Sequence, residues 1–570
     1  MNTPSPLLSL VHATTKGLTL AALVTTLGAG CAQDAVPRSD LTLMTAALSP
    51  CKPNENADRQ FPSGADRIVV ELTGGNIPTD APLSATALQT ESTSSGEIVL
   101  PGIPTGTGMR LQVVACQGSA TVWAGETRGV DVFENTKSFP PVFLTPTGQL
   151  ACVGNGASTS GATTTSEPRA FAAVTADSET AHIIGGFSSF APPTATATAT
   201  ATIDRYTRLT SEFAGAGGLL SPRGMALAQR LSNGTIRVVG GTTRIQLGKP
   251  GSPAILVRAG DAPMIGSEIY DPAAGTSMTE ESTALPALPA LLAMSGDVAL
   301  AVGGVIAGAT GNSDTFSSDV TRFSAGDVSS GPLGGQRYGA TMVALDATHA
   351  LVWGGNVDAD PTKNGLVIDV AAPIATAVSP LAVSGDNLDV PVFASAVRLP
   401  DANDGLKRVL IAGGAVIQNG PTFPPTVAAH RLQMVAVDLD AGTATVTNID
   451  ATGLEASFTR AAATIWAVGD DEYVYVGGYT AFTQNALCAS TNDCLQPDLV
   501  RFSLANGAAV ELAPRLETAE RNGLLGASPV ALSDGSYLLT AGIETVRSNT
   551  IPNTAALVRY HGFERDLCAQ

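Results

Sequence analysis

The apolar residues of this chain come in short runs that stop at glycine. Ile183-Ile184 leads into Gly185-Gly186, Val238-Val239 into Gly240-Gly241 and Ala301-Val302 into Gly303-Gly304. Val352-Trp353 leads into Gly354-Gly355, Ile411-Ala412 into Gly413-Gly414 and Val476 into Gly477-Gly478; Leu539-Thr540-Ala541-Gly542 is a worn seventh copy. Short apolar runs bounded by turn residues predict inner strands buried on both faces. The first glycines are 55, 63, 51, 59 and 64 residues apart, with 64 more to Ala541. A period of that size, built of short strands, predicts small sheets set around an axis. The glycines themselves read as structural, because glycine takes positive φ at no steric cost and lets neighbouring backbones approach.

Two further elements travel with the doublet. Arg169, Arg223, Arg337 and Arg460 lie 16, 17, 17 and 17 residues upstream of its first glycine, and Arg521 is taken as their counterpart in the seventh copy. The third and fifth copies lack the arginine. Downstream comes another strand, often with an aromatic: Ile203-Asp204-Arg205-Tyr206, Glu268-Ile269-Tyr270-Asp271, Val320-Thr321-Arg322-Phe323, Leu366-Val367-Ile368-Asp369, Val435-Ala436-Val437-Asp438, Leu499-Val500-Arg501-Phe502 and Leu557-Val558-Arg559-Tyr560. These repeats resemble the kelch family, although the outer-strand Trp of that family is missing. The resemblance implies a seven-bladed kelch-like β-propeller over residues 167–570, each blade four-stranded, with the two chain ends sharing one blade. It also implies that the strand carrying Arg169, Arg223, Arg337, Arg460 and Arg521 faces the axis. A positive funnel for an anionic ligand is then one reading, through bidentate guanidinium contacts. Pairing of each arginine with a neighbouring blade's carboxylate or carbonyl is the other.

Residues 58–147 read as a separate β-sandwich. Arg67–Leu72, Glu97–Leu100, Arg110–Cys116, Ala120–Gly125 and Pro141–Leu144 are its predicted strands, separated by Pro/Gly turns. The run Pro101-Gly102-Ile103-Pro104-Thr105-Gly106 before an alternating strand resembles carboxypeptidase-regulatory-like or fibronectin-like sandwiches. Residues 32–57 read as a polar tether and 148–166 as a linker with a possible closing strand. Within the repeats, the Pro/Thr/Ala run at 192–202 reads as a surface excursion.

Lys16 precedes an apolar stretch, Leu18 to Leu27, that is too short to span a bilayer. The ending Leu27-Gly28-Ala29-Gly30-Cys31 resembles a bacterial lipoprotein signal. The resemblance implies export, removal of residues 1–30, lipid on Cys31 as the membrane attachment and, with Ala32 following, sorting to the outer membrane. An ordinary secretory signal is the alternative. Of seven cysteines, lipid on Cys31 leaves six, a disulfide set suited to an oxidising compartment. The expected pairs are Cys51–Cys116, Cys488–Cys494 and Cys152–Cys568, the last clasping the ends of the repeat array. Cys152 with Cys51 or Cys116 is the alternative.

Aromatics are 5% and charged residues 14%, against 60 glycines and 36 prolines, a mix that favours strands and turns over helices. The net charge of −19 argues against nucleic acid, whose affinity rests on basic contacts. No metal site or cofactor is expected: no CxxC occurs, and the acidic stretch Asp358–Gly365 lacks the spacing of an EF-hand loop. Asp401–Gly405 reads as a turn. Of the histidines His12, His182, His349, His430 and His561, none belongs to a recognisable catalytic constellation, and no Gly-x-Ser-x-Gly elbow appears. The expected function is therefore a lipid-anchored envelope binding or scaffold protein, with an envelope protein or an acidic glycan as partner. A propeller enzyme acting on glycans or sugar acids, and a purely structural envelope component, are the alternatives.

Overall fold

The computed structural model describes residues 37–47, 64–77, 82–88, 97–134, 141–147, 150–152, 166–191, 196–208, 212–246, 257–258, 266–306, 315–416, 427–428, 431–479, 499–512, 525–542, 558–561 and 567–568, with one- and two-residue breaks inside some stretches. The fold is all-β. Among the described residues the helical elements are short 3-10 turns, and no helix among them is long and apolar enough to cross a membrane.

The N-terminal strands are β1 (Arg38–Ala47), β2 (Arg67–Thr73), β3 (Leu83–Leu88), β4 (Glu97–Pro104), β5 (Gly106–Gln117), β6 (Ala120–Val132) and β7 (Pro141–Pro146). They form one seven-stranded order, β3-β2-β5-β6-β7-β1-β4. Two findings differ from the sequence reading. The supposed tether supplies β1, which pairs antiparallel with β4 and parallel with β7. The sandwich is a single sheet folded over itself: bulges in the β5–β6 pairing let long strands bend. Leu41, Ile103, Val142 and Leu144 thereby reach the same core as Ile68, Val70, Leu111 and Val113. Alternation along β5 sends Val114 and Cys116 to the opposite face, where they meet Leu567 and Cys568.

Beyond residue 166 the described strands form a succession of small sheets in chain order, six of four antiparallel strands and one, the fifth, of five, in which Ala382–Gly385 pairs parallel with Thr443–Asn448; smaller accessory sheets lie between them. The second strands are Thr180–Ile184, Ile236–Val239, Val298–Val302, His349–Trp353, Lys407–Ala412, Glu472–Tyr479 and Ser536–Leu539. The third strands are Thr202–Thr207, Ser267–Asp271, Asp319–Ser324, Gly365–Asp369, Leu432–Asp438, Leu499–Ala505 and Val558–His561, where the aromatic-bearing runs predict them. The fourth strand of the seventh sheet comes from far upstream. It is β8 (Leu150–Cys152), paired antiparallel with Val558–His561.

First strands of successive sheets touch from the first sheet to the sixth, and the seventh touches the first. The sixth and seventh are joined by Thr464 Oγ1 donating to Ala527 O at 3.0 Å and Tyr537 Oη donating to Ala467 O at 2.7 Å. One apolar cluster draws on all seven sheets and their inserts: Ala170 and Phe187, Ile245, Leu288 and Val305, Tyr338 and Val357, Val392 and Ala415, Ala461, and Leu525.

Candidate functional site

The glycine doublet is the joint between neighbouring sheets. Both its glycines have positive φ, 59° and 96° at Gly185 and Gly186, 65° and 97° at Gly413 and Gly414. The second glycine donates its N–H to the next sheet: Gly186 to Arg223 O at 2.8 Å, Gly304 to Arg337 O at 2.9 Å, Gly355 to Pro391 O at 2.7 Å and Gly414 to Arg460 O at 2.8 Å. A Cβ on Gly185, Gly303, Gly354 or Gly413 would collide with that same carbonyl. The doublet thus has two causes, a left-handed turn and a close backbone approach.

Arg169, Arg223, Arg337 and Arg460 are buried, each at most 4% exposed. Each Nη1 donates to the carbonyl of the first glycine in its own sheet: Gly185 at 3.0 Å, Gly240 at 3.0 Å, Gly354 at 2.8 Å and Gly477 at 2.9 Å. The first three also donate to the residue opening the third strand region, Thr202 O at 2.6 Å, Gly266 O at 2.9 Å and Asn364 O at 3.5 Å. Arg169 pairs with Asp204 at 2.5 Å and Arg223 with Glu268, both carboxylates buried. The Arg460 guanidinium lies 5.0 Å from the centre of the Tyr475 ring. Burial lowers the pKa of Arg169 and Arg223, and that of Arg337 to about 10, opposed by Asp204, Glu268 and Asp358 respectively. Arg337 therefore keeps its charge at neutral pH.

These four do not form the positive funnel that the sequence suggested. They donate to carbonyls of their own sheet, and Arg169 and Arg223 also to buried carboxylates there, rather than to a neighbouring blade; a buried guanidinium needs such pairing to be tolerated. Arg521 lies outside the described residues. In the fifth sheet Pro391 takes the arginine position, and a different buried arginine, Arg431, stands just before the third strand. Arg431 is 3% exposed and pairs with Asp389 at 3.1 Å, a pairing that sequence spacing could not reveal.

The face where the doublets lie is apolar at its centre. Two residues after each arginine position the backbone is left-handed: Phe171, Met225, Leu288, Gly339, Phe393, Ala462 and Gly526, with φ between 52° and 78°. Their amides link sheet to sheet. Phe171 N donates to Gly526 O, Met225 N to Phe171 O, Phe393 N to Gly339 O and Ala462 N to Phe393 O, all at 2.7–2.9 Å. Phe171 stacks edge-on against Phe187 and Phe393 against Tyr338. The sequence signal, missed beforehand, is the spacing of these residues from the arginine.

Small accessory strands follow the doublets at this end. Phe187–Ala191, Thr196–Ala199, Arg244–Gln246 and Val257–Arg258 form one sheet shared by the first two inserts. Val305–Ile306 pairs with Thr315–Phe316, and Ala415–Val416 with Pro391–Val392 and Val427–Ala428. The Thr/Ala run expected as a surface excursion is in part a strand, with Ala197 only 1% exposed in the central cluster. Its strict alternation was a strand signature.

The acidic stretch after the fourth doublet is occupied by a cation of its own. Lys363 Nζ lies 3.6 Å from Asp358 and 3.4 Å from Asp360, and Asp360 caps a 3-10 turn. Asp401 pairs with Arg398 and Lys407, and Asp404 with Arg408, so the predicted turn is pinned by ion pairs. Among the described residues no three His, Cys, Asp or Glu side chains are placed to hold a metal.

Cys568 is bonded to Cys116, with Cα atoms 5.6 Å apart. This overturns Cys152–Cys568 and Cys51–Cys116. The reason is the face of β5: Cys116 points away from the sheet core toward the C-terminal segment, where Thr121 Oγ1 donates to Cys568 Sγ and Arg67 Nη2 donates to Cys568 O at 2.8 Å. Cys31, Cys51, Cys488 and Cys494 lie outside the described residues.

No family model matches the chain, and no curated protein does. Among solved structures, one titled "Structure of YjhT" is similar over 62% of this chain and all of that one, at 14% identity and a TM-score of 0.37.

Proposed function

We propose that residues 167–570 close into a seven-bladed kelch-like β-propeller serving as a recognition scaffold at the cell envelope. In this reading the chain is exported and held to the membrane, the outer one, by lipid on Cys31. The observation that carries the recognition role is the set of accessory strands after successive doublets. Inserts of different length on one end of a rigid array build a variable surface around an apolar centre. The succession of sheets, the contact of the seventh with the first and the upstream strand β8 in the last sheet support closure. A protein partner fits this surface better than an acidic glycan, since the four described arginines are internally paired.

Photo-crosslinkers placed in intact cells at Arg244 and Thr315, on the accessory strands, should capture one discrete envelope protein. The same group at Asn233 and Gly296, on turns at the opposite ends of the strands, should capture none. Equal capture from both ends would overturn the recognition face, and turnover of a glycan panel would move the protein to the enzyme class. Cys31→Ser should release the protein from membranes; retention with normal processing would overturn the lipid anchor.

A further inference from the structure

The third sheet lacks the arginine clamp and has a cavity in its place. Pro286 stands at the arginine position, two residues before left-handed Leu288. The cavity, about 220 Å³, is lined by Pro286, Gly303, Ser317, Asp319 and Thr321, with Glu281 of the second sheet at its side. Strand register makes these the counterparts of the groups that hold guanidinium elsewhere. Gly303 corresponds to Gly185 and Gly240, whose carbonyls accept from Arg169 and Arg223. Asp319 corresponds to Thr202 and Gly266, since Gly303 N donates to Asp319 O as Gly185 N does to Thr202 O. Thr321, opposite Ala301, corresponds to Asp204 opposite Ile183 and Glu268 opposite Val238.

The negative charge is retained but moved by two residues, from the third-strand position of Asp204 and Glu268 to Asp319. The Asp319 side chain is exposed, and among the described residues no cation pairs with it. Buried Ser317 accepts from Asp319 N at 3.1 Å and sits beside its carboxylate. The fifth sheet, the other described one without the arginine, carries a different buried arginine, Arg431, paired with Asp389. The third sheet carries no buried arginine among the described residues.

We propose that this cavity is a guanidinium-binding socket for the arginine head group of a ligand from outside the chain. The same fold position holds a guanidinium in four sibling sheets, so the acceptor geometry is already selected for a planar, multi-donor cation. The volume suits a side-chain head group and is small beside the pockets that enclose whole drug-sized ligands. The cation can belong to a free small molecule or to an arginine of a peptide; the chemistry recognised is the same.

Ligand-observed NMR on the full mature chain is the test, with N-acetyl-arginine amide, an arginine-centred heptapeptide, and the citrulline and lysine versions of each. The arginine probes should bind saturably and the citrulline probes should not; lysine should bind at least tenfold more weakly. Tighter binding of the heptapeptide than of the amide assigns the socket to a protein partner, and equal binding assigns it to a small molecule. Asp319→Asn should weaken binding at least tenfold. Pro286→Arg, which supplies the missing clamp from within, should abolish it while raising thermal stability. Absence of saturable binding, or arginine binding unchanged in a folded Pro286→Arg variant, would overturn the proposal. If Pro286→Arg fails to fold, Asp319→Asn on the exposed rim decides alone.

Discussion

A buried histidine gives the chain a pH sensitivity that can be read from one residue. His182 is 2% exposed, and neither ring nitrogen has a hydrogen-bond partner among the described residues. It packs edge-on against Tyr270 with ring centres 6.0 Å apart. Burial, helped by Arg230 and Arg205 and opposed by Asp177, lowers its pKa to about 4 from an ordinary 6.5. Between those two values the unfolded chain binds a proton that the folded chain refuses. Stability therefore falls as pH drops from 6.5 toward 4, by up to about 3 kcal/mol from this residue alone. His182→Phe keeps a ring against Tyr270 and removes the titration. Urea unfolding of both proteins at pH 7 and pH 4.5 should show a smaller pH loss in the variant; an equal loss would show that His182 is not the origin.

At the scale of elements, the joint between sheets is where a minimal change should cost most. An added methyl on Gly413 would meet the carbonyl of Arg460 and the hydroxyl of Tyr475, at a φ of 65°. Gly442 has nearly the same φ, 63°, and nothing within 4 Å of an added Cβ. Gly442→Ala should lose only the left-handed penalty, about 1 kcal/mol. Gly413→Ala should lose about 3 kcal/mol or more, because backbone cannot retreat as a side-chain tip can. Similar losses in denaturant unfolding would mean that the close approach matters little. The doublets and the third strands were legible because alternation and glycine are local signals. The partners were not. That Arg169 clamps the Gly185 carbonyl, that Arg431 is buried and paired with Asp389, and that Arg38–Ala47 joins β4 and β7 depend on which segments the fold brings together. The Thr/Ala strand was legible in its alternation, but low-complexity composition masked it, since alanine and threonine bury little apolar surface apiece.

At the scale of the whole molecule, the weak point of the proposed ring of sheets is the place where its last member would meet its first, and the structure holds two ties there. The upstream strand β8 completes the seventh sheet by pairing with Val558–His561. The C-terminal Cys568 is bonded to Cys116 on the outer face of the N-terminal sheet, closing a sequence separation of 452 residues. Arg208 adds a polar tie, donating to Thr127 Oγ1 on β6 at 3.2 Å and to Ser178 O beside the first sheet. In the proposed ring the N-terminal sheet would act as a clamp across the seam. In the chain-entropy picture a cross-link over so long a loop adds roughly 6 kcal/mol, less whatever structure the unfolded chain retains. Cys116→Ser should leave the sheets intact but let the seam open first, since the least supported contacts unfold at the lowest cost. Hydrogen exchange should then speed up in Pro529–Ala531, Ser536–Leu539 and Ala173–Ala176 while the third and fourth sheets stay protected. Wild-type protein treated with reductant should behave in the same way. Uniform protection in both samples, or a non-reducing digest that links Cys568 to Cys152, would rule out the clamp.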